Sequence, residues 1–137
     1  MFKVKIFTLY PDIYPGPFNE GIYYKAREKK IWDLKVINIR DYATDKHKSV
    51  DDTPFGGGNG MLLRPDVVAS ALDANLKRDD HIIYLSPKGK KFDQNVAKKL
   101  SKQKKINLLC GHFEGIDDRL LSTRKCDYLL QEPASNN

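Results

Sequence analysis

The segment with the most chemical potential is a glycine-rich loop that follows two adjacent carboxylates. Residues 51–61 read Asp-Asp-Thr-Pro-Phe-Gly-Gly-Gly-Asn-Gly-Met, and glycines at this density allow a backbone to approach a ligand closely. The loop is not a P-loop, because no Lys-Ser/Thr follows the glycines, and it lacks the G-x-G-x-x-G order of a dinucleotide fold. A simple flexible turn is the alternative interpretation, but the neighbouring Asp51 and Asp52 favour a polar binding loop.

Two further candidate sites follow short apolar runs. Residues 84–87 (Tyr-Leu-Ser-Pro) end one run in a turn, which leaves the backbone groups of Leu85 and Ser86 available to a ligand. The second run leads into residues 111–115 (Gly-His-Phe-Glu-Gly), where Glu114 is a candidate functional carboxylate. A glutamate in a loop is more often simply solvated, so neither segment identifies a function by itself.

Alternating strand-like and helix-like patterns indicate how these loops are positioned. Apolar and β-branched runs predict strands over residues 3–9, 34–39, 81–86 and 106–110, and helical spacing predicts helices opened near residues 19–20 and 65 and over residues 92–100. The expected fold is therefore α/β, a largely parallel sheet with helices on both faces. In such a fold ligands bind at the carboxyl ends of the strands, where the loops after Leu85 and Cys110 begin.

Composition narrows the class of protein. The 137 residues carry 24 Lys and Arg against 18 Asp and Glu, a formal charge of +6 that favours a polyanionic partner. No apolar run reaches the roughly 20 residues of a membrane span, and no secretory signal opens the chain, so we expect a cytoplasmic protein. Cys110 and Cys126 lack paired spacing and are expected to be free thiols, and the histidines show no metal-ligand spacing, so no metal is expected.

Taken together, the segments resemble the bacterial tRNA guanine-N1 methyltransferase family, which belongs to the knotted S-adenosylmethionine-dependent class. The resemblance runs from about residue 5 to residue 119. It is carried by six ordered motifs: residues 7–11 (Phe-Thr-Leu-Tyr-Pro), 39–42 (Ile-Arg-Asp-Tyr), 45–52 (Asp-Lys-His-Lys-Ser-Val-Asp-Asp), 54–61, 84–87 and 111–117 (Gly-His-Phe-Glu-Gly-Ile-Asp).

The resemblance implies transfer of a methyl group from S-adenosylmethionine to N1 of a guanosine beside the tRNA anticodon. It also implies a homodimer in which a deep trefoil knot holds the cofactor. By the same resemblance, the residues expected to bind the cofactor, largely through backbone groups, are Tyr84, Leu85, Ser86, Pro87, Gly111, Phe113, Tyr128 and Leu130. The resemblance also implies that Asp51, Gly60 and Glu114 bind the target base. Three clusters of basic residues, within 25–30, 46–48 and 88–105, are expected to hold tRNA phosphates.

The chain departs from the family pattern at several positions. Asn59 stands where family members usually have Pro, and His112 where they have Arg. The segment after Arg119 lacks the Gly-Gly turn that forms the knot. We expect a methyltransferase domain over residues 1–131 and a tail over 132–137, without the helical tRNA-binding domain and without the segment that supplies the general base, so no catalytic residue is assigned.

The 137 residues alone are accordingly expected to be weakly active or inactive. Two other interpretations remain open at this point. One is a non-catalytic module that binds tRNA or the cofactor. The other is an unrelated α/β nucleotide-binding protein, which would prefer a nucleoside triphosphate to S-adenosylmethionine.

Overall fold

The computed structural model describes residues 1–44, 51–52, 62–110, 115–116, 121 and 124–130, and at 51–52, 62–63, 86–88, 115–116, 128 and 130 it describes the backbone alone. The strands and helices, in chain order, are β1 (Phe2–Thr8), α1 (Gly21–Glu28), β2 (Trp32–Asn38), β3 (Asp51–Asp52), β4 (Leu62–Leu63), α2 (Pro65–Asn75), β5 (Ile82–Lys91), α3 (Gln94–Ser101), β6 (Lys105–Cys110), β7 (Gly115–Ile116) and β8 (Cys126–Leu130). Short 3-10 helices lie at Pro11–Ile13, Gly16–Asn19 and Ile39–Tyr42.

Five strands form one sheet in the order β2-β1-β6-β5-β8. Its four pairings are all parallel, as expected when crossover segments join successive strands. The predicted α/β class with a largely parallel sheet is therefore confirmed.

The predicted elements are present, with some ends displaced. β2 begins at Trp32 rather than at residue 34, and β5 continues to Lys91 instead of ending at Ser86. The extension was not visible in the sequence because Lys-Gly-Lys-Lys, residues 88–91, has no strand-like alternation of apolar residues. A second, small sheet in the order β3-β4-β7 was also missed, since two-residue strands are too short to show periodicity.

Helix α2 covers one face of the sheet and builds the core there. Its side chains Val67, Val68, Ala71 and Leu72 are all buried, and they belong to one cluster with Phe7, Ile37, Ile82, Tyr84 and Leu109 from the strands. Pro65 occupies the first turn, where its missing N–H costs no hydrogen bond. The apolar stripe predicted for this helix is confirmed.

Helix α3 lies on the opposite face. Val96 and Leu100 line a cleft of about 400 Å³ together with Ile83 and Ile106 of the sheet. Asp93 caps the helix, because its Oδ1 accepts a hydrogen bond from the Val96 N–H at 2.9 Å. With α2 on one face and α3 on the other, the expected placement of helices on both faces holds.

Helix α1 has no buried residue. The helical spacing predicted for this segment is confirmed, but its apolar members remain in contact with solvent: Ile22 is 75% exposed and Tyr23 is 48% exposed. Phe18, just before the helix, packs its ring edge-to-face against Tyr23 at 4.9 Å between centroids. None of the helices in the described ranges is long and apolar enough to span a bilayer.

Candidate functional site at the carboxyl edge of the sheet

The strands that carry the predicted cofactor-binding residues end at one edge. Leu85 of β5 stands opposite both Cys110 of β6 and Leu129 of β8. Tyr84 stands opposite Tyr128. Parallel pairing thus brings the backbone of the predicted residues 84, 85, 128 and 130 together, and residue 111 follows directly after β6.

An irregularity in β5 shapes this edge. Leu85 and Lys90 are both opposite Leu129, so residues 86–89 leave the register of the β5–β8 ladder and the pairing resumes afterwards. An excursion of this kind frees backbone N–H and C=O groups from strand pairing. The predicted residues Ser86 and Pro87 lie within it, at the edge where parallel α/β sheets bind ligands.

Tyr84 and Leu85 differ in what they can offer a ligand. Tyr84 is only 4% exposed and belongs to the core cluster that packs against α2. Its ring is therefore part of the core beneath the site and is not open to a ligand. Its backbone also makes a hydrogen bond with the Cys126 thiol. Leu85 is partly exposed and lines an apolar groove of about 630 Å³ with Phe92 of the segment before α3.

A hydroxyl and thiol cluster underlies the same edge. Tyr14 donates its hydroxyl hydrogen bond to Sγ of Cys110 at 3.7 Å. Thr8, at the end of β1, is fully buried, and its Oγ1 accepts a hydrogen bond from the Tyr10 N–H at 3.0 Å. These contacts fix the segment after β1 to the end of β6, immediately before Gly111.

The titration of this cluster shows that it is structural rather than nucleophilic. Burial, together with the hydrogen bond to Cys110, raises the pKa of Tyr14 to about 12. Burial raises the pKa of the Cys110 thiol as well, and the hydrogen bond from Tyr14 opposes this rise. Cys110 therefore stays protonated at neutral pH, whereas a reactive cysteine needs a lowered pKa. Sequence reasoning missed Tyr14, because the residues between the 3-10 helices Pro11–Ile13 and Gly16–Asn19 show no periodic or motif signal.

The small sheet relates the predicted substrate-binding segments to each other. Asp52 and Gly115 are both opposite Leu62, on the two sides of β4. Asp51 is thus only about two strand spacings, roughly 10 Å, from the start of β7, and Glu114 directly precedes that strand. The predicted residues Gly60, Gly111, Phe113 and Glu114 lie outside the described residues.

The His, Cys, Asp and Glu side chains are the candidate metal ligands, and the two cysteines are the candidate disulfide partners. Within the ranges described, no three His, Cys, Asp or Glu side chains are grouped so that they could hold a metal ion. Cys110 and Cys126 are free thiols, as their spacing predicted.

Comparison with known proteins identifies the family. Residues 2–130 match the family model described as tRNA (Guanine-1)-methyltransferase TrmD. A tRNA (guanine-N(1)-)-methyltransferase of Pelagibacter ubique is 63% identical over 129 residues, covering 94% of this chain and 57% of the relative. Proteins of the same name from Wolbachia pipientis of Culex pipiens and from Rhodospirillum rubrum are 47% and 44% identical, over 98% and 89% of this chain and 62% and 51% of the relatives.

The chain thus spans between about half and three-fifths of the length of these relatives. The match nevertheless runs from β1 to the last residue of β8, and it includes every strand that builds the carboxyl edge. The chain belongs to the tRNA (guanine-N1)-methyltransferase family.

Proposed function

We propose that this chain contributes the cofactor-binding domain, residues 1–131, of an enzyme that methylates N1 of a guanosine next to the tRNA anticodon, with S-adenosylmethionine as methyl donor. The observation that carries the proposal is the match of residues 2–130 to the family, combined with convergence of residues 84, 85, 128 and 130 on one edge.

The residues at this edge fit the proposed cofactor. An excursion at residues 86–89 offers unpaired backbone groups, and the partly exposed Leu85 offers an apolar surface beside them. Mixed backbone and apolar recognition suits a ligand that combines a polar amino-acid end with a flat base. The sulfonium of the bound cofactor supplies the methyl group, while the protein supplies position and a water-poor setting.

Recognition of the base is assigned to the small sheet and the loops beside it. Carboxylates at Asp51 and Glu114 can accept hydrogen bonds from the Watson-Crick edge of guanine, and Gly60 allows close approach of the backbone. Methylation at N1 releases the proton that N1 carried. We assign no residue of the 137 to that proton transfer.

A cytoplasmic homodimer is the proposed assembly. Its support is the exposed apolar surface of Phe18, Ile22 and Tyr23 around α1. A contiguous apolar patch of this kind is typical of an interaction surface. Sedimentation of the purified chain tests the dimer, and a monomer at micromolar concentration would contradict it.

The cofactor assignment is tested by calorimetric titration of the 137-residue chain with S-adenosylmethionine and, separately, with ATP. We expect saturable binding of the first and none of the second. Preference for ATP would instead identify an unrelated nucleotide-binding protein.

The substrate assignment is tested by transfer of labelled methyl groups to two tRNAs that differ only in a G or an A beside the anticodon. We expect any incorporation to occur on the G-containing tRNA alone, and to be weak for this chain. Cofactor and tRNA binding without incorporation would favour the non-catalytic module. Incorporation into both tRNAs would contradict the proposed target atom.

A further inference from the structure

Along the strands, the sheet face that carries α2 changes from lysine side chains to buried apolar side chains. In β1 the residues on this face are Lys3, Lys5 and Phe7, and the neighbours opposite Phe7 are Ile37 and Leu109. Near the carboxyl edge, this face is the buried core. Two and four residues earlier in β1 the same face presents lysine, because side chains at positions i, i+2 and i+4 of a strand share a face.

Four lysines meet at this amino-terminal half of the face. Lys5 is directly opposite Lys35 of β2, and Lys3 is directly opposite Lys105 of β6. Opposed residues are about 5 Å apart between strands, and Lys3 and Lys5 are about 7 Å apart along β1. We name Lys3, Lys5, Lys35 and Lys105 the lysine face.

Two members of the lysine face are already engaged. Lys5 Nζ donates to the main-chain oxygen of Asn75 at 2.7 Å, at the carboxyl end of α2, and Lys105 Nζ pairs with Asp80 Oδ1 at 2.7 Å. On its other side Lys3 is directly opposite Asp33 of β2, whose carboxylate pairs with Arg27 at 3.1 Å. Lys3 and Lys35 are exposed, and neither forms an ion pair with any carboxylate of the described residues.

This arrangement is unfavourable for folding. Like charges directly opposite each other in a sheet destabilise it, and here two such pairs occupy adjacent strands. Burial and then the charge of Lys35 lower the pKa of the Lys5 ammonium group, and the charge of Asp80 opposes this shift. Exposed strand positions accept many uncharged residues, so two exposed lysines without an ion pair among the described residues, beside two engaged ones, are better explained by a ligand than by stability.

We infer that the lysine face is a second RNA-binding surface, in which Lys3 and Lys35 contact backbone phosphates away from the target base. The choice of RNA over other polyanions rests on the proposed function. Lys3 lies about 17 Å before the carboxyl end of β1, and Lys35 lies about 10 Å before the carboxyl end of β2. A tRNA arm whose base enters the carboxyl edge is long enough to reach both lysines.

The experiment measures binding of unmodified tRNA to the 137-residue chain, without cofactor, as a function of salt. The test variant carries Lys3→Gln and Lys35→Gln. The matched control carries Lys77→Gln and Lys125→Gln, which removes the same charge from exposed positions just before β5 and β8 and outside the three basic clusters. Because each phosphate contact contributes about 0.9 to the slope of log affinity against log salt, the test variant should lower that slope by about 2.

We expect the test variant to bind tRNA about tenfold more weakly at 0.1 M salt and the control to change binding by less than about threefold. Replacing the same two lysines by arginine, which keeps the charge, should restore binding. The melting temperature of the glutamine variant should be unchanged or raised, because repulsion is relieved. This guards against weak binding caused by unfolding.

Equal weakening by both glutamine variants would show a net-charge effect only and would overturn the inference, as would unchanged binding by the test variant. Poly-glutamate that binds as tightly as tRNA, with the same dependence on Lys3 and Lys35, would assign the surface to an acidic polypeptide and also overturn it. Methyl transfer is not part of the readout. A chain that fails to transfer methyl groups can therefore still bind tRNA through the lysine face. A chain that transfers them can likewise fail this binding test.

Discussion

The hydroxyl of Tyr14 donates a hydrogen bond to Sγ of Cys110 across 3.7 Å, although 96 residues separate the two in sequence. The contact joins the segment that follows β1 to the last residue of β6. Residues 111–117, a predicted ligand-binding segment, follow Cys110 directly in the sequence. The residue from which that segment starts is therefore held by a tyrosine outside it.

Replacing Tyr14 by phenylalanine removes this bond and leaves the ring in place. We expect the free energy of unfolding to fall by about 1 kcal/mol or less, the usual net contribution of one hydrogen bond. Urea denaturation followed by circular dichroism measures it. Tyr24→Phe is the matched control, because Tyr24 is 46% exposed on α1, and an equal loss in both variants would contradict the structural role of the Tyr14 hydroxyl.

Alkaline pH should weaken the fold through Cys126. Burial, followed by the charge of Asp127, raises its pKa from 9.0 to about 11. A pKa raised in the folded state stabilises the fold fully below pH 9 and loses that contribution as pH rises to 11. The two-unit shift corresponds to a loss of about 2.7 kcal/mol in the free energy of unfolding. Because the thiol is only partly buried, solvent screening reduces this loss to about 1 kcal/mol.

Unfolding measured at pH 8 and pH 11 under reducing conditions tests this expectation. Cys126→Ala should lose about 1 kcal/mol less between the two pH values than the unsubstituted chain. Ser70→Ala serves as a control without a titrating group and should follow the unsubstituted chain. If Cys126→Ala shows the same alkaline loss, the burial of this thiol is not the cause.

Shortening the excursion in β5 should impair cofactor binding more than stability. Deletion of Gly89 reduces residues 86–89 from four to three and shifts the backbone groups that precede Lys90. In enzymes, a misplacement of about 1 Å can lower the reaction rate about 100-fold. We expect a comparable displacement of these backbone groups to lower the affinity for S-adenosylmethionine at least tenfold. Calorimetry measures the affinity, with deletion of the exposed Asp79 before β5 as the matched control. Equal losses from the two deletions would contradict a specific role of the excursion.

Truncating an apolar side chain should destabilise the fold much more in α2 than in α1. Leu72 of α2 is 0% exposed and Ile22 of α1 is 75% exposed. We expect Leu72→Ala to lower the free energy of unfolding by about 2–5 kcal/mol through the cavity it leaves. At protein concentrations too low for the proposed dimer, Ile22→Ala should change it by less than about 0.5 kcal/mol. Urea denaturation compares the two. A comparable cost at Ile22 would mean that a partner covers α1 in solution.

Much of the fold was predictable because periodicity marks elements that are long and one-sided. The alternation in β1 and the stripe of Val67, Val68, Ala71 and Leu72 in α2 were read correctly for this reason. The strands β3, β4 and β7 have only two residues each, so their pairing depends on tertiary contacts that leave no pattern. The continuation of β5 through Lys90 and Lys91 could not be predicted for a related reason. Pairing with Leu129 and Leu130 of β8, rather than burial of apolar side chains, keeps those residues in the strand.

The candidate site was predictable to a different extent. Motif resemblance located the segments around residues 84–87 and 111–117, and the register now places Tyr84 opposite Tyr128. Tyr14 and Thr8 could not be assigned from sequence, because their roles come from distance in space and from burial. The lysine face was equally hidden. Lys3, Lys35 and Lys105 belong to three strands, and only the parallel register makes them neighbours.

The central place of β6 has a consequence for synthesis of the protein. β6 joins β1 to β5, yet it is made more than sixty residues after β2. On the ribosome, β1 and β2 can pair early, whereas β5 has neither of its neighbours until β6 and then β8 have emerged. At roughly 5–20 residues per second, β5 therefore stays unpaired for about a second or more on both edges. During that interval its apolar residues and unpaired edges are open to aggregation, which a chaperone can prevent.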